Sequence, residues 1–220
     1  MRLLTVGDSF TYGDELSDQN LAWPYLLANK INYQVDNLAR PGESNTAILR
    51  NAMLNADSAD LVIIAWSHYA RMEMSDEKGP FTIWPGNVGN LFNGPLSFRQ
   101  DLLKYINQHH DDFYMYQQLL INIVLLQNYL QSTGKKYLML DSFNEWDYDK
   151  TKPCLTKLIE RIPHMVDKID TRYYMGWPDE TMMQWTYGCP KGPQGHFLEQ
   201  GHERVADKIY EHIRHLGWIS

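Results

Sequence analysis

Leu61-Val62-Ile63-Ile64-Ala65-Trp66 is an unbroken apolar run, and it limits the architectures open to this chain more than any other segment. A strand with one wet face alternates apolar and polar residues. A run with no polar member suits a strand covered on both faces, as in parallel sheets flanked by helices. Residues 3–6, 33–38 and 137–140 read as further strands. Helix-period segments fall between them, at 23–31, at 46–55 behind a cap at Ser44 or Asn45, and at 112–132 ahead of Gly134. Residues 157–169 read as a mixed helix interrupted near Pro163, and 200–216 as a final amphipathic helix. Repeated strand–helix units predict an α/β chain with a parallel sheet and right-handed crossovers.

A chain of 220 residues with 44% hydrophobic side chains can bury one sizeable core, so a single domain over 1–220 is expected. The formal charge of −7, from 20 basic and 27 acidic residues, together with scattered basic positions, argues against a nucleic-acid partner. The longest apolar stretch, near Leu119 to Leu126, is broken by Asn122 and is too short to span a bilayer, so no membrane partner is expected. Met1-Arg2 leads straight into the first strand, which leaves no room for a cleavable leader and makes a cytoplasmic setting the expectation. Cys154 and Cys189 read as reduced thiols. The eight histidines include His109-His110 and His212/His215, spacings common on solvated helix faces. With no His-Glu-x-x-His, Cys-x-x-Cys, dinucleotide or P-loop pattern, neither a metal nor a cofactor is expected.

Two segments break every period. Residues 74–108 carry Gly79-Pro80, Pro85-Gly86, Gly89 and Gly94-Pro95, and read as an irregular loop insertion. Residues 173–195 are similar, and both are expected to overhang the carboxyl edge of the sheet. Trp84, Trp146, Trp177 and Trp185 fall in polar or Pro/Gly-rich stretches, where flat rings with polar edges suit sugars as well as core filling.

The chemistry-bearing residues lie at the two ends of the chain. Gly7-Asp8-Ser9-Phe10-Thr11-Tyr12-Gly13 follows the first strand directly and places a serine hydroxyl at the carboxyl edge of the sheet, where ligands of open α/β folds collect. Near the other end, His196 precedes Gly201-His202 and the last helix. In this order the blocks resemble the SGNH/GDSL hydrolase superfamily across the whole chain. The resemblance implies a three-layer α/β/α sandwich with a central five-stranded parallel sheet, flavodoxin-like in outline. It also implies ester hydrolysis through an acyl-serine on a small-molecule or glycan ester, with Ser9 as nucleophile and His196 as base. The second block of the family matches 37–45, with Gly42 as the glycine whose N–H, beside that of Ser9, faces the oxyanion.

Two blocks depart from the family pattern. Where the third normally reads Gly-x-Asn-Asp, this chain has Trp66-Ser67-His68-Tyr69-Ala70-Arg71. Tyr69 or His68 falls at the Asn position; His68 is a candidate oxyanion donor and Arg71 a candidate for an anionic substrate group. A structural His68 and an Arg71–Glu73 ion pair are the alternative. The fourth block normally carries Asp three residues before its histidine, and Pro193 stands there instead. A Ser–His dyad steered by a backbone carbonyl, or an acid from elsewhere such as Asp179, would serve. His202 reads as a structural histidine. The same departures support an alternative reading, a catalytically weak relative that binds a glycan or protein or serves in an assembly. The opening motif, with Trp66-Ser67 and the nearby Arg71, also resembles divergent members encoded by bacteria and their tailed viruses.

Overall fold

A computed structural model describes residues 1–77, 79–84, 96–109, 111–144 and 159–219. Strand β1 (Arg2–Val6) leads into a one-turn helix α1 (Ser9–Tyr12), then α2 (Trp23–Ile31), β2 (Gln34–Asn37) and α3 (Asn45–Asn55). Next come β3 (Leu61–Trp66), the ribbon β4 (Met72–Asp76) and β5 (Gly79–Ile83), helices α4 (Leu96–His109) and α5 (Asp112–Ser132), and β6 (Lys136–Asp141). Two short helices, α6 (Pro163–Val166) and α7 (Met182–Trp185), precede the long α8 (Glu199–His215).

The main sheet runs β2-β1-β3-β6 with every pairing parallel. All six residues of β3 are buried, as an apolar run without alternation demands. Its two faces supply two cores. Val62, Ile64 and Trp66 pack with Leu4 and Met139 under α3 and α5. Leu61, Ile63 and Ala65 pack with Leu3 and Leu138 under α2 and α8. Each fully buried aliphatic side chain contributes roughly 1.5–3 kcal/mol relative to exposure, so the two faces together fix the three-layer order.

Among the described residues the sheet has four strands, where five were expected. Beyond β6 the described residues bridge that strand at two points, Met139 to Tyr174 and Asp141 to Thr181, both parallel. Between them Gly176 takes a left-handed φ of +80°, and Pro178 has no N–H to donate. The Asp179 and Glu180 N–H groups turn back to the Gly176 carbonyl at 3.1 and 2.8 Å. The fifth position is therefore filled by chain that touches the ladder without joining it.

The segment read as a loop insertion holds the β4–β5 ribbon and α4, whose Leu102 and Ile106 pack on Ile83. Pro80 sits in a two-stranded ribbon, where both strands are edges and a missing donor is tolerated. Residues 85–95, the position of Trp146 and the first part of the mixed helix at 157–169 lie outside the described residues. Among those described, no helix is long and apolar enough to cross a membrane.

Candidate active site

The order β2-β1-β3 reverses direction at β1, so the carboxyl ends of β1 and β3 flank a topological switch point, the usual place for a ligand in an open α/β sheet. Ser9 stands there. Gly7 allows the chain to turn: a Cβ on it would lie 2.5 Å from Thr11 Oγ1 and 3.1 Å from the Ala65 Cβ. Asp8 caps α1, its carboxylate accepting the Phe10 N–H at 3.1 Å. Gly13, at φ +90°, closes the turn in the left-handed conformation that a side chain disfavours.

Ser9 Oγ lies 2.8 Å from His196 Nε2, across 187 residues of sequence. On the other side of the ring, His196 Nδ1 lies 2.8 Å from Glu15 Oε2. The same carboxylate accepts the Gln194 N–H on Oε1 at 2.8 Å and the His196 N–H on Oε2 at 3.1 Å. Gly192 makes this approach feasible, because a Cβ at 192 would overlap the Glu15 carboxylate. The Glu15 and His196 side chains are only 8% and 13% exposed, so the line of bonds is shielded from competing water. Burial alone would raise the Glu15 carboxyl; the Gln194 and His196 N–H groups and the imidazole outweigh it and hold the group below its ordinary value. Phe10 packs at 4.8 Å against the imidazole and so helps fix its plane.

Gly42 sits in the turn closed by Glu43 N–H to Arg40 O at 3.2 Å. Proline at the second position and a φ of +77° at the third are the requirements of a type II turn. Trp84 lies over this glycine, its ring carbons 3.8 Å from where a Cβ would stand.

No family model matches the chain, and no curated protein matches it. Solved structures do. A protein assigned to the G-D-S-L lipolytic family from Desulfitobacterium hafniense superposes with a TM-score of 0.54 at 12% identity, over 96% of this chain and 98% of that one. The esterase EstA from Pseudoalteromonas matches with a TM-score of 0.57 at 15% identity, over 98% and 97%. A carbohydrate esterase family 2 enzyme with a carbohydrate-binding domain, from Corynascus (Myceliophthora fergusii), matches at 0.59 and 14%, over 99% of this chain and 67% of that one. The fold is that of the SGNH/GDSL hydrolases.

Within that SGNH/GDSL fold, the third block is rebuilt. His68 is half-buried and stacks on Tyr69 at 4.3 Å and Phe143 at 5.7 Å. Its Nδ1 accepts the Ala70 N–H at 3.1 Å, which leaves the ring proton on Nε2 and makes that nitrogen a donor. Tyr69 turns into the core, edge-on to Tyr116 at 5.9 Å, so His68 is the residue of the pair with a side chain outside the core. Arg71 faces inward. Its Nη1 donates to Asp8 Oδ2 and to the Glu43 carbonyl, both at 3.2 Å, and its guanidinium lies between Trp84 and Phe143. Glu73 instead binds Arg50 through both carboxylate oxygens. Ser67 Oγ completes Asp8 at 2.9 Å, and the Asn45 amide bonds the backbone of Ser67 and His68. These contacts tie the first three blocks together around a fully buried carboxylate.

His202 accepts the Trp23 N–H on Nδ1 at 3.2 Å and meets Phe197 edge-on, a structural position. Burial, with the charge of His196 adding, pushes it down to about 3. Asp179 lies in the exposed turn after Gly176, and its charge acts on Tyr116. Of the loop tryptophans, Trp177 packs on Tyr174 and Trp185 donates to Glu180 at 3.0 Å, while Trp84 borders the site. Sequence reading missed Glu15. With Pro193 at the fourth block's usual acid position, its one local signal is an acidic residue just past the Gly-terminated turn at Gly13. Among the described residues no group of His, Cys, Asp or Glu is arranged to hold a metal ion.

Proposed function

We propose that this protein is a serine ester hydrolase working through an acyl-serine intermediate, on small or carbohydrate-linked acyl esters. The observation that carries the reading is the continuous line from Ser9 Oγ through His196 to Glu15, each link 2.8 Å. A serine hydroxyl becomes a useful nucleophile when a base takes its proton as it attacks. His196 Nε2 is that base, and Glu15 keeps the ring proton on Nδ1, so Nε2 is free to accept.

Ser9 Oγ attacks the ester carbonyl carbon while its proton passes to Nε2. The negative charge on the carbonyl oxygen is met by the N–H groups of Ser9 and Gly42, with His68 Nε2–H a third donor. Collapse breaks the bond to the alcohol, which leaves with the proton from His196. Water then attacks the acyl-serine, His196 takes its proton, and return of that proton to Ser9 releases the carboxylic acid. One oxyanion donor is worth about 2.7–4 kcal/mol, so replacing the family's Asn by His68 conserves a donor without repeating its geometry. The carbohydrate preference is supported by the likeness to a carbohydrate esterase and by Trp84 at the rim.

Hydrolysis of p-nitrophenyl acetate tests the reading, with fluorophosphonate labelling mapped on wild type, Ser9→Ala and His196→Ala. Turnover lost in both variants, with label on Ser9, is the expected result. Turnover unchanged by Ser9→Ala would refute Ser9 as the nucleophile, and no turnover with no label would favour the binding alternative.

A further inference from the structure

Beyond Arg71, on the α3 and α5 side of the site, lies a cavity of about 270 Å³. Thr46, Arg71, Glu73, Tyr114, Gln118 and Asn122 are among its walls. Tyr114, Gln118 and Asn122 recur every four residues of α5, so their side chains form one row along the helix. The floor is apolar, with Leu119 buried beneath the row.

The chemistry of the walls is selective. Both full charges are already neutralised: Arg71 by Asp8, and Glu73 by the two-pronged bond from Arg50. An anion or cation entering the groove would lose water without gaining an unpaired partner. The amides of Gln118 and Asn122 are half-buried, and among the described residues no hydrogen bond reaches them or the Thr46 hydroxyl. Half-buried amides without protein partners present donors and acceptors together, which matches hydroxyl groups rather than carboxylates or hydrocarbon. Tyr114, 55% exposed at the rim, adds a flat face with a polar edge. The volume falls just below the roughly 300–1,000 Å³ of clefts for drug-sized ligands, which suits one ring of a polyol.

From this lining we infer that the groove is a saccharide subsite, taking a neutral sugar unit of the ester substrate while its acyl group lies at Ser9. The assignment rests on the ester-hydrolase reading for its catalytic meaning, and Arg71 joins the two places: it walls the groove and bonds Asp8, the residue before Ser9. A neighbouring sugar seated on Gln118 and Asn122 would hold the scissile ester in register, so recognition and chemistry share one side chain as a common wall.

The test uses the full chain, partially acetylated xylo- and manno-oligosaccharides, and p-nitrophenyl acetate as a substrate with no sugar. In the Gln118→Ala/Asn122→Ala double variant, the ratio of kcat/KM on the better oligosaccharide to kcat/KM on p-nitrophenyl acetate falls at least tenfold. Calorimetric binding of xylohexaose or mannohexaose to Ser9→Ala weakens by a similar factor when the double substitution is added, with the melting temperature checking the fold. An unchanged ratio, in a protein whose hydrolysis still depends on Ser9, overturns the subsite and leaves the esterase standing. Absence of binding by either hexasaccharide also overturns it. Binding that depends on Gln118 and Asn122 in a protein that hydrolyses neither ester supports the subsite and sinks the esterase.

Discussion

Replacing Glu15 by glutamine changes little in shape and removes one acceptor oxygen, which makes it the sharpest probe of the catalytic line. The carboxylate serves three donors: Gln194 N–H on one oxygen, and His196 N–H and Nδ1–H on the other. A glutamine can place its single oxygen on only one side. With its NH₂ toward His196, Nδ1 must become an acceptor, and the ring proton moves to Nε2, where it points at Ser9 and the base is lost. A histidine locked in the wrong tautomer lowers kcat by about 10⁴ in a triad hydrolase, equivalent to about 5.5 kcal/mol of barrier. With its NH₂ toward Gln194, the ring keeps its tautomer but loses the negative charge that stabilises the imidazolium. Either arrangement sets a donor against a backbone donor, at about 1–3 kcal/mol. The expected fall in kcat on p-nitrophenyl acetate is therefore about 10²–10⁴, accompanied by a modest loss in thermal stability. Glu15→Asp, one methylene shorter, is expected between wild type and glutamine. A Glu15→Gln enzyme within threefold of wild-type kcat would show that the carboxylate plays no part in orienting His196.

Two further outcomes follow from the buried groups around the site. Arg71→Met leaves the fully buried Asp8 carboxylate without its cation and is expected to cost about 3–5 kcal/mol in urea denaturation, since Asp8 is 0% and Arg71 10% exposed; a loss below about 1 kcal/mol would mean that the Ser67 hydroxyl and the Phe10 N–H suffice. His202 titrates in the unfolded chain near 6.5 but in the folded protein only at about 3, so between those values the unfolded state holds the extra proton. Stability therefore falls as pH drops through that window, by about 2 kcal/mol from this group at pH 5 relative to pH 7. His202→Asn should flatten that part of the stability curve, and an unaltered curve would refute the assignment.

The layers were legible because hydrophobic period is a local property. The unbroken run of β3, the Gly-terminated α5 and the amphipathic α8 each declare their class within a dozen residues. The fifth sheet position shows where that ends. Residues 174–181 lie parallel to β6 at two bridges, but Gly176 and Pro178 prevent a ladder, and only three-dimensional packing reveals the half-made strand. The Ser9–His196 pair was legible because each residue sits in a motif at an element boundary. Arg71 was noticed, but its partner was not, since the pairing with Asp8 spans 63 residues. Glu15 was invisible for the same reason, at 181 residues from His196.

That distance also shows how, in the proposed triad, the acid can come from outside the segment that carries His196. The chemistry requires a carboxylate on Nδ1 and is indifferent to the strand of chain that delivers it. Residues 190–198 fold back on themselves, Gly192 N–H to His196 O at 2.9 Å and Leu198 N–H to Pro190 O at 3.0 Å. This turn leaves the Gln194 and His196 N–H groups pointing at one spot, which with Pro193 in the loop must be filled from outside. Glu15 fills it from the segment just past α1. Reaching there sets its own backbone at φ +66°, a conformation costing about 1–3 kcal/mol for a side-chain-bearing residue. Two N–H bonds and the imidazole bond to a carboxylate, at roughly 1.5–3 kcal/mol each, outweigh that strain. The segment that positions Ser9 thereby also positions Glu15, and His196 is held between two groups only six residues apart in the chain.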